Sequence, residues 1–134
     1  DDRTLYHVDT FSGTVWVFDK HPDGTISNRR EFTRLDSKTE GFPDGLTVDN
    51  ENRVWLAHWG GGRISCFSPQ GERLGIVQLP VPQITSCAFG GLELSTLYIT
   101  TAARNLNADE YPLAGALFRV DTKTSGFASP AFAG

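Results

Sequence analysis

The chain has 134 residues, 39% of them hydrophobic, with 14 glycines, 7 prolines and a formal net charge of −4. This composition is typical of one globular domain and excludes a low-complexity or disordered chain. Lysines and arginines are scattered and no run of 18 apolar residues occurs, so we expect neither a nucleic-acid partner nor a membrane span.

Short runs of β-branched and aromatic residues with a period of two recur along the chain, separated by turns rich in Gly, Pro, Asn and Asp. No segment has a helical period. In chain order, the sequence predicts strands at residues 5–8, 15–18, 26–35, 45–49, 54–57, 63–67, 73–79, 86–89, 97–101 and 116–120, followed by a weak tail at 127–132. We therefore predict an all-β fold.

The predicted strands form an internal repeat. Equivalent apolar–aromatic pairs recur at spacings of 49 and 43 residues, at Leu5-Tyr6, Val54-Trp55 and Leu97-Tyr98. A period in the forties with about four short strands is typical of a β-propeller blade. We predict a single partial propeller domain over residues 1–134, with about three four-stranded blades at about 1–40, 41–82 and 83–134.

About three blades cannot close a ring, because propellers typically have four to eight. The first repeat lacks its innermost strand and the fourth strand of the third repeat is weak. Open blade faces would expose apolar surface. We expect them to be covered by a second copy of the chain, as in a homodimer that completes a six-blade ring, or by a missing half of the same protein.

Two cysteines, Cys66 and Cys87, lie within apolar strands and belong to no C-x-x-C pair. We expect both to be buried, reduced thiols. Reduced thiols and the lack of a recognisable signal peptide favour a cytoplasmic location.

The tripeptide Pro43-Asp44-Gly45 places one carboxylate just ahead of an alternating strand. Proline fixes its own φ, and glycine lets another group approach the backbone closely. Asp44 is thus well mounted to act as a metal ligand or catalytic base. Pro-Asp-Gly is also a common turn, and we predict a simple hairpin turn for the second copy at residues 22–24.

Several motifs occur together in a fixed order, and they carry a resemblance to a known family. They are Ile26-Ser27-Asn28-Arg29-Arg30, Pro43-Asp44-Gly45-Leu46-Thr47-Val48-Asp49, Val54-Trp55-Leu56-Ala57, Gly61-Gly62-Arg63-Ile64 and Thr85-Ser86-Cys87-Ala88-Phe89-Gly90-Gly91. Over almost its whole length, the chain resembles the SMP-30/gluconolactonase/regucalcin family.

The resemblance implies that the chain forms half of a six-bladed propeller whose central channel holds a divalent cation. It also implies that the complete enzyme hydrolyses sugar lactones at this cation. The family's cation is held by an early-blade glutamate, a middle-blade asparagine and the aspartate of Pro-Asp-Gly, which is also a proton donor or acceptor. Asp44 matches that aspartate, whereas the other two ligands have no counterpart, since this chain matches only the carboxyl-terminal half. The implied cofactor is Ca²⁺, Mg²⁺, Zn²⁺ or Mn²⁺, with no organic cofactor.

Four further residues are candidates for lining a pocket at the strand ends, namely Asp9, His58, Ser86 and Arg104. Each also has a plain structural interpretation. Asp9 could cap a turn, and His58 could be packed in the protein interior. The Ser86 hydroxyl could have a purely structural role, and Arg104 could be a solvent-exposed loop residue.

Two functions remain open from the sequence. The first is a metal-dependent lactone or ester hydrolase whose site needs a second copy or a missing half. The alternative is a non-catalytic propeller fragment that serves binding or assembly. No G-x-S-x-G motif, phosphate-binding loop or zinc-ligand spacing is present, and serine-nucleophile chemistry is therefore disfavoured.

Overall fold

The structure is a computed structural model that describes residues 3–128. Within this range the chain is all-β apart from one short helix, as the period-two pattern predicted. In chain order the elements are β1 (Thr4–Asp9), β2 (Thr14–Lys20), β3 (Ile26–Arg34), α1 (Ser37–Glu40), β4 (Phe42–Val48), β5 (Val54–Trp59), β6 (Arg63–Phe67), β7 (Arg73–Gln78), β8 (Ile84–Gly90), β9 (Thr96–Thr101) and β10 (Leu117–Asp121).

The strands form three antiparallel sheets in which each strand pairs with its neighbours in sequence. Sheet 1 has the order β1-β2-β3, sheet 2 the order β4-β5-β6-β7, and sheet 3 the order β8-β9-β10. Short turns link the paired strands except β9 and β10, which residues 102–116 join as a long loop. In the turn at residues 22–24, Gly24 has a φ of +84° and Asp23 accepts from the backbone N of Thr25 at 2.9 Å. The hairpin turn predicted for this Pro-Asp-Gly copy is confirmed.

Among the described residues only sheet 2 has the four strands of a complete blade. Sheet 1 lacks an equivalent of β4, as the sequence indicated, and sheet 3 lacks an equivalent of β7. The tail predicted at 127–132 carries no regular structure at Phe127 and Ala128, and its remainder lies outside the described residues. The division of the chain into blades at about 1–40, 41–82 and 83–134 stays an interpretation.

Helix α1 was not predicted, and it corrects the expectation of an entirely non-helical chain. It spans four residues, and the side chain of Asp36 caps it by accepting from the backbone N of Lys38 at 3.0 Å. One turn is too short to show a helical period, so the cap rather than an amphipathic pattern defines this helix.

Sheet 2 lies between the other two sheets and contributes to two apolar clusters. Its strand β4 contacts β1 on one side and β8 on the other. One cluster, between sheets 1 and 2, is formed by Val15, Val17, Phe32, Leu35, Val54, Leu56 and Phe67. The other, between sheets 2 and 3, is formed by Ala57, Ile64, Leu79, Val81, Ile84, Cys87, Leu97 and Ile99.

The strand alternation explains how one sheet serves both clusters. Successive side chains of β5 point to opposite faces, so that Leu56 enters the first cluster and Ala57 the second, both with no exposed surface. Fully burying a side chain such as Leu56 stabilises the fold by about 1.5–3 kcal/mol. The apolar positions of β5 therefore hold three sheets together.

Both cysteines are free and buried, as predicted. Burial raises the pKa of Cys66 to about 11 and that of Cys87 to about 12. Thiols with such pKa values stay protonated near neutral pH and are poor nucleophiles. Cys87 is therefore part of the packing between sheets 2 and 3, and Cys66 is a buried residue of β6.

Candidate functional site

Asp44 lies in a bulge of β4. Pro43 pairs with His58 and Leu46 pairs with Leu56, so Asp44 and Gly45 together face the single residue Ala57 on β5. An extra residue in a strand bends it and redirects its side chains, and such bulges are frequent beside functional sites. The proline–glycine support inferred from sequence is thus built into the strand itself.

The surroundings of Asp44 alter its acidity. Asp44 is partly buried, and this burial raises the pKa of its carboxyl above the usual value. The hydrogen bond from the backbone N of Gly45 lowers the pKa, but by less. A carboxylate with a raised pKa is a stronger base at neutral pH than an exposed one. The partly buried carboxyl is therefore chemically suited to accept a proton.

Ser86 is the predicted pocket residue that the fold brings next to this bulge. A methyl group added to Gly45 would overlap the hydroxyl of Ser86 and would lie 2.8 Å from its Cα. Ser86 belongs to β8, which packs against β4. The repeat suggested that Ser86 and Asp44 occupy equivalent positions in neighbouring repeats, and the structure places their strands in contact.

His58 is fully buried, which agrees with the interpretation of a packed histidine. Its Nδ1 donates to the carbonyl of Glu40 at 2.9 Å, and its Nε2 has no hydrogen-bond partner within the described part of the chain. Burial lowers the pKa of His58, so the ring is neutral near pH 7. Its ring thus anchors the end of α1 to β5.

Asp9 and Arg104 lie at turns, and no hydrogen bond among residues 3–128 joins either of them to Asp44. The Asp9 carboxylate accepts from the backbone N of Ser12 at 3.3 Å, which is the turn cap considered from sequence. Arg104 is exposed, and its backbone N and O bond the amide of Gln83 at 3.0 and 2.8 Å. Gln83 therefore fixes the loop backbone while the Arg104 side chain faces solvent.

A buried polar cluster that the sequence did not reveal centres on Asp49. Its carboxylate accepts from the indole Nε1 of Trp55 at 2.9 Å, from Nε and backbone N of Arg53 at 2.8 and 2.9 Å, and from the backbone N of Glu51 at 3.0 Å. Burial alone would raise the pKa of Asp49, but these bonds outweigh it and hold that pKa below its usual value. The feature of the sequence that could have predicted this cluster is the close spacing of Asp49, Arg53 and Trp55 around one turn.

The residues described do not complete a cation site. No group of three or more His, Cys, Asp or Glu side chains that could hold a metal occurs within residues 3–128. Calcium takes six to eight oxygen ligands and magnesium six, whereas Asp44 supplies one carboxylate. A divalent cation at Asp44 would need ligands from further chain.

A cavity between two of the sheets lies away from Asp44. It has a volume of about 660 Å³ and opens between sheets 1 and 2, where Tyr6, Val17, Val48 and Phe127 line it. Val48 is at the opposite end of β4 from Asp44. Arg30, at the same cavity, is ion-paired with Asp19 at 2.8 Å. The cavity and the Asp44 bulge are separate features.

Comparison with known proteins assigns the family. The profile described as SMP-30/Gluconolactonase/LRE-like region matches residues 1–103. Regucalcin of Danio rerio is 42% identical over 125 residues, covering 90% of this chain and 42% of that protein. The chain belongs to the SMP-30/gluconolactonase/LRE-like family, and it spans about two fifths of the length of such relatives.

Solved structures agree with this assignment. A calcium-binding protein, regucalcin, from Agrobacterium tumefaciens superposes with a TM-score of 0.87 at 27% identity, covering 96% of this chain and 45% of that one. A gluconolactonase from Xanthomonas campestris superposes with a TM-score of 0.63 at 29% identity, covering 73% and 31%. The three antiparallel sheets therefore belong to a propeller-type fold.

The structure also bears on the expected absence of a membrane span. Among residues 3–128, no helix is long and apolar enough to cross a bilayer. The cytoplasmic location stays a prediction.

Proposed function

We propose that this chain carries the Asp44 part of a divalent-cation-dependent sugar-lactone hydrolase, completed by further propeller blades. The observation that carries the proposal is the Asp44 bulge, which lies within the matched family region and combines partial burial with a raised pKa. The missing blades would come from a second copy or from a longer form of the protein, and they would supply the remaining ligands and complete six blades.

Asp44 would act on the water that opens the lactone. Water adds to the ring carbonyl carbon, the bond from that carbon to the ring oxygen breaks, and a proton moves from the water to the released alkoxide. Asp44 can take the first proton and return it, because its raised pKa keeps it basic near neutral pH. The cation, when bound, supplies polarisation of the carbonyl.

The test is hydrolysis of D-glucono-1,5-lactone by the purified chain with Ca²⁺, Mg²⁺, Zn²⁺ or Mn²⁺, and with EDTA. We expect cation-dependent turnover, and Asp44→Asn should reduce kcat/KM by roughly 100-fold or more because a general base is lost. The matched control is Asp23→Asn in the other Pro-Asp-Gly copy, which should stay within about twofold. Equal rates for Asp44→Asn and the unchanged chain would contradict the role of Asp44.

In one form of the proposal, two copies of this chain associate to complete a six-blade ring, and no different protein is required. Leu5 is 37% exposed and Leu117 is 65% exposed, each on the sheet face turned away from sheet 2. Two-fold pairing would place sheet 1 of one copy against sheet 3 of the other and cover both faces. The exposed apolar positions on these two faces support this arrangement.

Sedimentation equilibrium tests the paired ring. We expect twice the 14.7 kDa mass of the chain. Leu117→Lys should shift the equilibrium towards single chains, whereas Leu92→Lys, at a fully exposed turn position, should leave it unchanged. A strictly monomeric parent chain at micromolar concentration would exclude this form.

A non-catalytic assembly module is the second candidate. It is favoured by the missing ligand cluster within residues 3–128. Calorimetric titration with Ca²⁺ or Mn²⁺ separates the two candidates, since the hydrolase requires cation uptake that Asp44→Asn weakens. A dimer without cation uptake and without lactone hydrolysis would select the assembly module.

A further inference from the structure

Two neighbouring strands are irregular at equivalent positions. In β4 the register shifts between Pro43 and Leu46, and in β8 it shifts between Ile84 and Ser86. Each is the first strand of its sheet in sequence, and the two strands pack against each other. Bulges redirect side chains, so both strands present altered side-chain directions at the point where they meet.

Gly45 and Ser86 form the contact between these bulges. The absence of a side chain on Gly45 leaves room for the Ser86 hydroxyl, and a Cβ there would also lie 2.5 Å from the Cβ of Ser86. Gly45 is not among the glycines with positive φ, so space rather than backbone conformation requires glycine. The sequence neighbour of Asp44 thus fixes where Ser86 sits.

The Ser86 hydroxyl has unused hydrogen-bonding capacity. It has no hydrogen-bond partner among residues 3–128, and its residue is partly exposed. The adjacent hydroxyl of Thr85, in contrast, is paired with that of Thr100 at 2.7 Å. A serine hydroxyl both donates and accepts, which suits the hydroxyl groups of a sugar derivative.

We propose that Ser86 is a substrate-binding residue of the Asp44 site, where its hydroxyl bonds a hydroxyl group of a polyhydroxylated lactone. The inference rests on the proposed function and deepens it, because it selects hydroxylated lactones over plain ones. Asp44 and Ser86 come from neighbouring strands of sheets 2 and 3, so one chain supplies both groups. Gly45, the sequence neighbour of Asp44, is in close contact with Ser86.

Steady-state kinetics with two substrates tests this inference. For D-glucono-1,5-lactone, Ser86→Ala should raise KM about three- to tenfold with kcat within about twofold, the loss expected for one hydrogen bond made equally in ground and transition states. For δ-valerolactone, which carries no hydroxyl groups, the same variant should leave KM unchanged. The control Thr85→Ala should leave KM unchanged for both lactones, since the Thr85 hydroxyl is already paired with a protein group.

The variant Gly45→Ala tests the same inference independently. The added methyl group would displace Ser86, whereas the Ser86 hydroxyl itself would remain. Gly45→Ala should reproduce the higher KM for the hydroxylated lactone, with thermal melting used to verify that the variant is folded. If the parent chain hydrolyses the lactone and Ser86→Ala has an unchanged KM, the role of Ser86 is overturned and the proposed function stands. If the parent chain forms the paired ring but shows no hydrolysis with any of the four cations, the hydrolase function proposed for that ring and the role of Ser86 are both overturned.

Discussion

At the residue scale, burial decides what each ionisable side chain can do. Asp44 is partly buried in a bulge, which raises its pKa, whereas Asp49 is fully buried but receives enough hydrogen bonds to hold its pKa low. The two carboxylates lie near opposite ends of β4. The carboxylate of Asp44 is the proposed base, and that of Asp49 is a structural hydrogen-bond acceptor.

His58 makes folding stability depend on pH. Its lowered pKa means that the unfolded chain, with a pKa near 6.5, binds a proton before the folded chain does. The contribution of His58 to the free energy of unfolding is therefore greatest above pH 6.5, where the histidine is neutral in both states. This free energy decreases as the pH falls towards the folded pKa, by up to about 1.4 kcal/mol between pH 7.5 and 5.5.

Urea unfolding at pH 7.5 and 5.5 measures this effect. His58→Asn should reduce the pH dependence, while His21→Asn, at an exposed turn, should keep that of the parent chain. An unchanged pH dependence in His58→Asn would show that the histidine is not the group responsible.

At the element scale, the segment after β10 is hydrogen-bonded to the β4–β5 turn and so links sheet 3 to sheet 2. The backbone N of Asn50 donates to the carbonyl of Ser125 at 2.8 Å, and the Asn50 side chain bonds Ser125 Oγ at 3.0 Å and Thr124 Oγ1 at 2.8 Å. Asp49 and Gly126 form an isolated bridge beside them. This contact joins residues about 75 positions apart.

Asn50→Ala tests the strength of this fastening. The loss of two side-chain hydrogen bonds should reduce the free energy of unfolding by about 1–2 kcal/mol and accelerate trypsin cleavage after Lys123. Gln70→Ala, in the exposed β6–β7 turn, is the control and should change neither quantity. Unchanged cleavage in Asn50→Ala would mean that other contacts hold the segment.

At the scale of the whole molecule, the two apolar clusters share sheet 2. Leu56 faces sheet 1, and Ile99 faces sheet 2 from sheet 3. Because each cluster includes side chains of sheet 2, loss of packing on one side removes support from the other. We expect the three sheets to unfold together.

Leu56→Ala and Ile99→Ala should each destabilise the chain by about 2–5 kcal/mol, since both side chains are fully buried. Tryptophan fluorescence, from Trp16 in sheet 1 and from Trp55 and Trp59 in sheet 2, should follow the same urea transition as circular dichroism in every variant. Leu92→Ala, at an exposed turn, serves as the control. Separate transitions for the two signals would indicate that the sheets unfold independently.

Much of the local structure was predictable because it depends on nearest neighbours. All ten strands follow from period-two patterning, and the hairpin turn at Asp23 follows from its Pro-Asp-Gly sequence. The burial of Cys66 follows from its apolar strand. Helix α1 was not predictable, because one turn held by the Asp36 cap has no periodic signal.

The sequence by itself determined the strand pattern, the repeat and the position of Asp44 between a proline and a glycine. Only the tertiary structure decided that Gly45 contacts Ser86 and that the ring of His58 is buried against the end of α1. The reason is that strand formation is governed by residues adjacent in sequence. The surroundings of a side chain depend instead on packing between strands some forty residues apart, which no local pattern encodes.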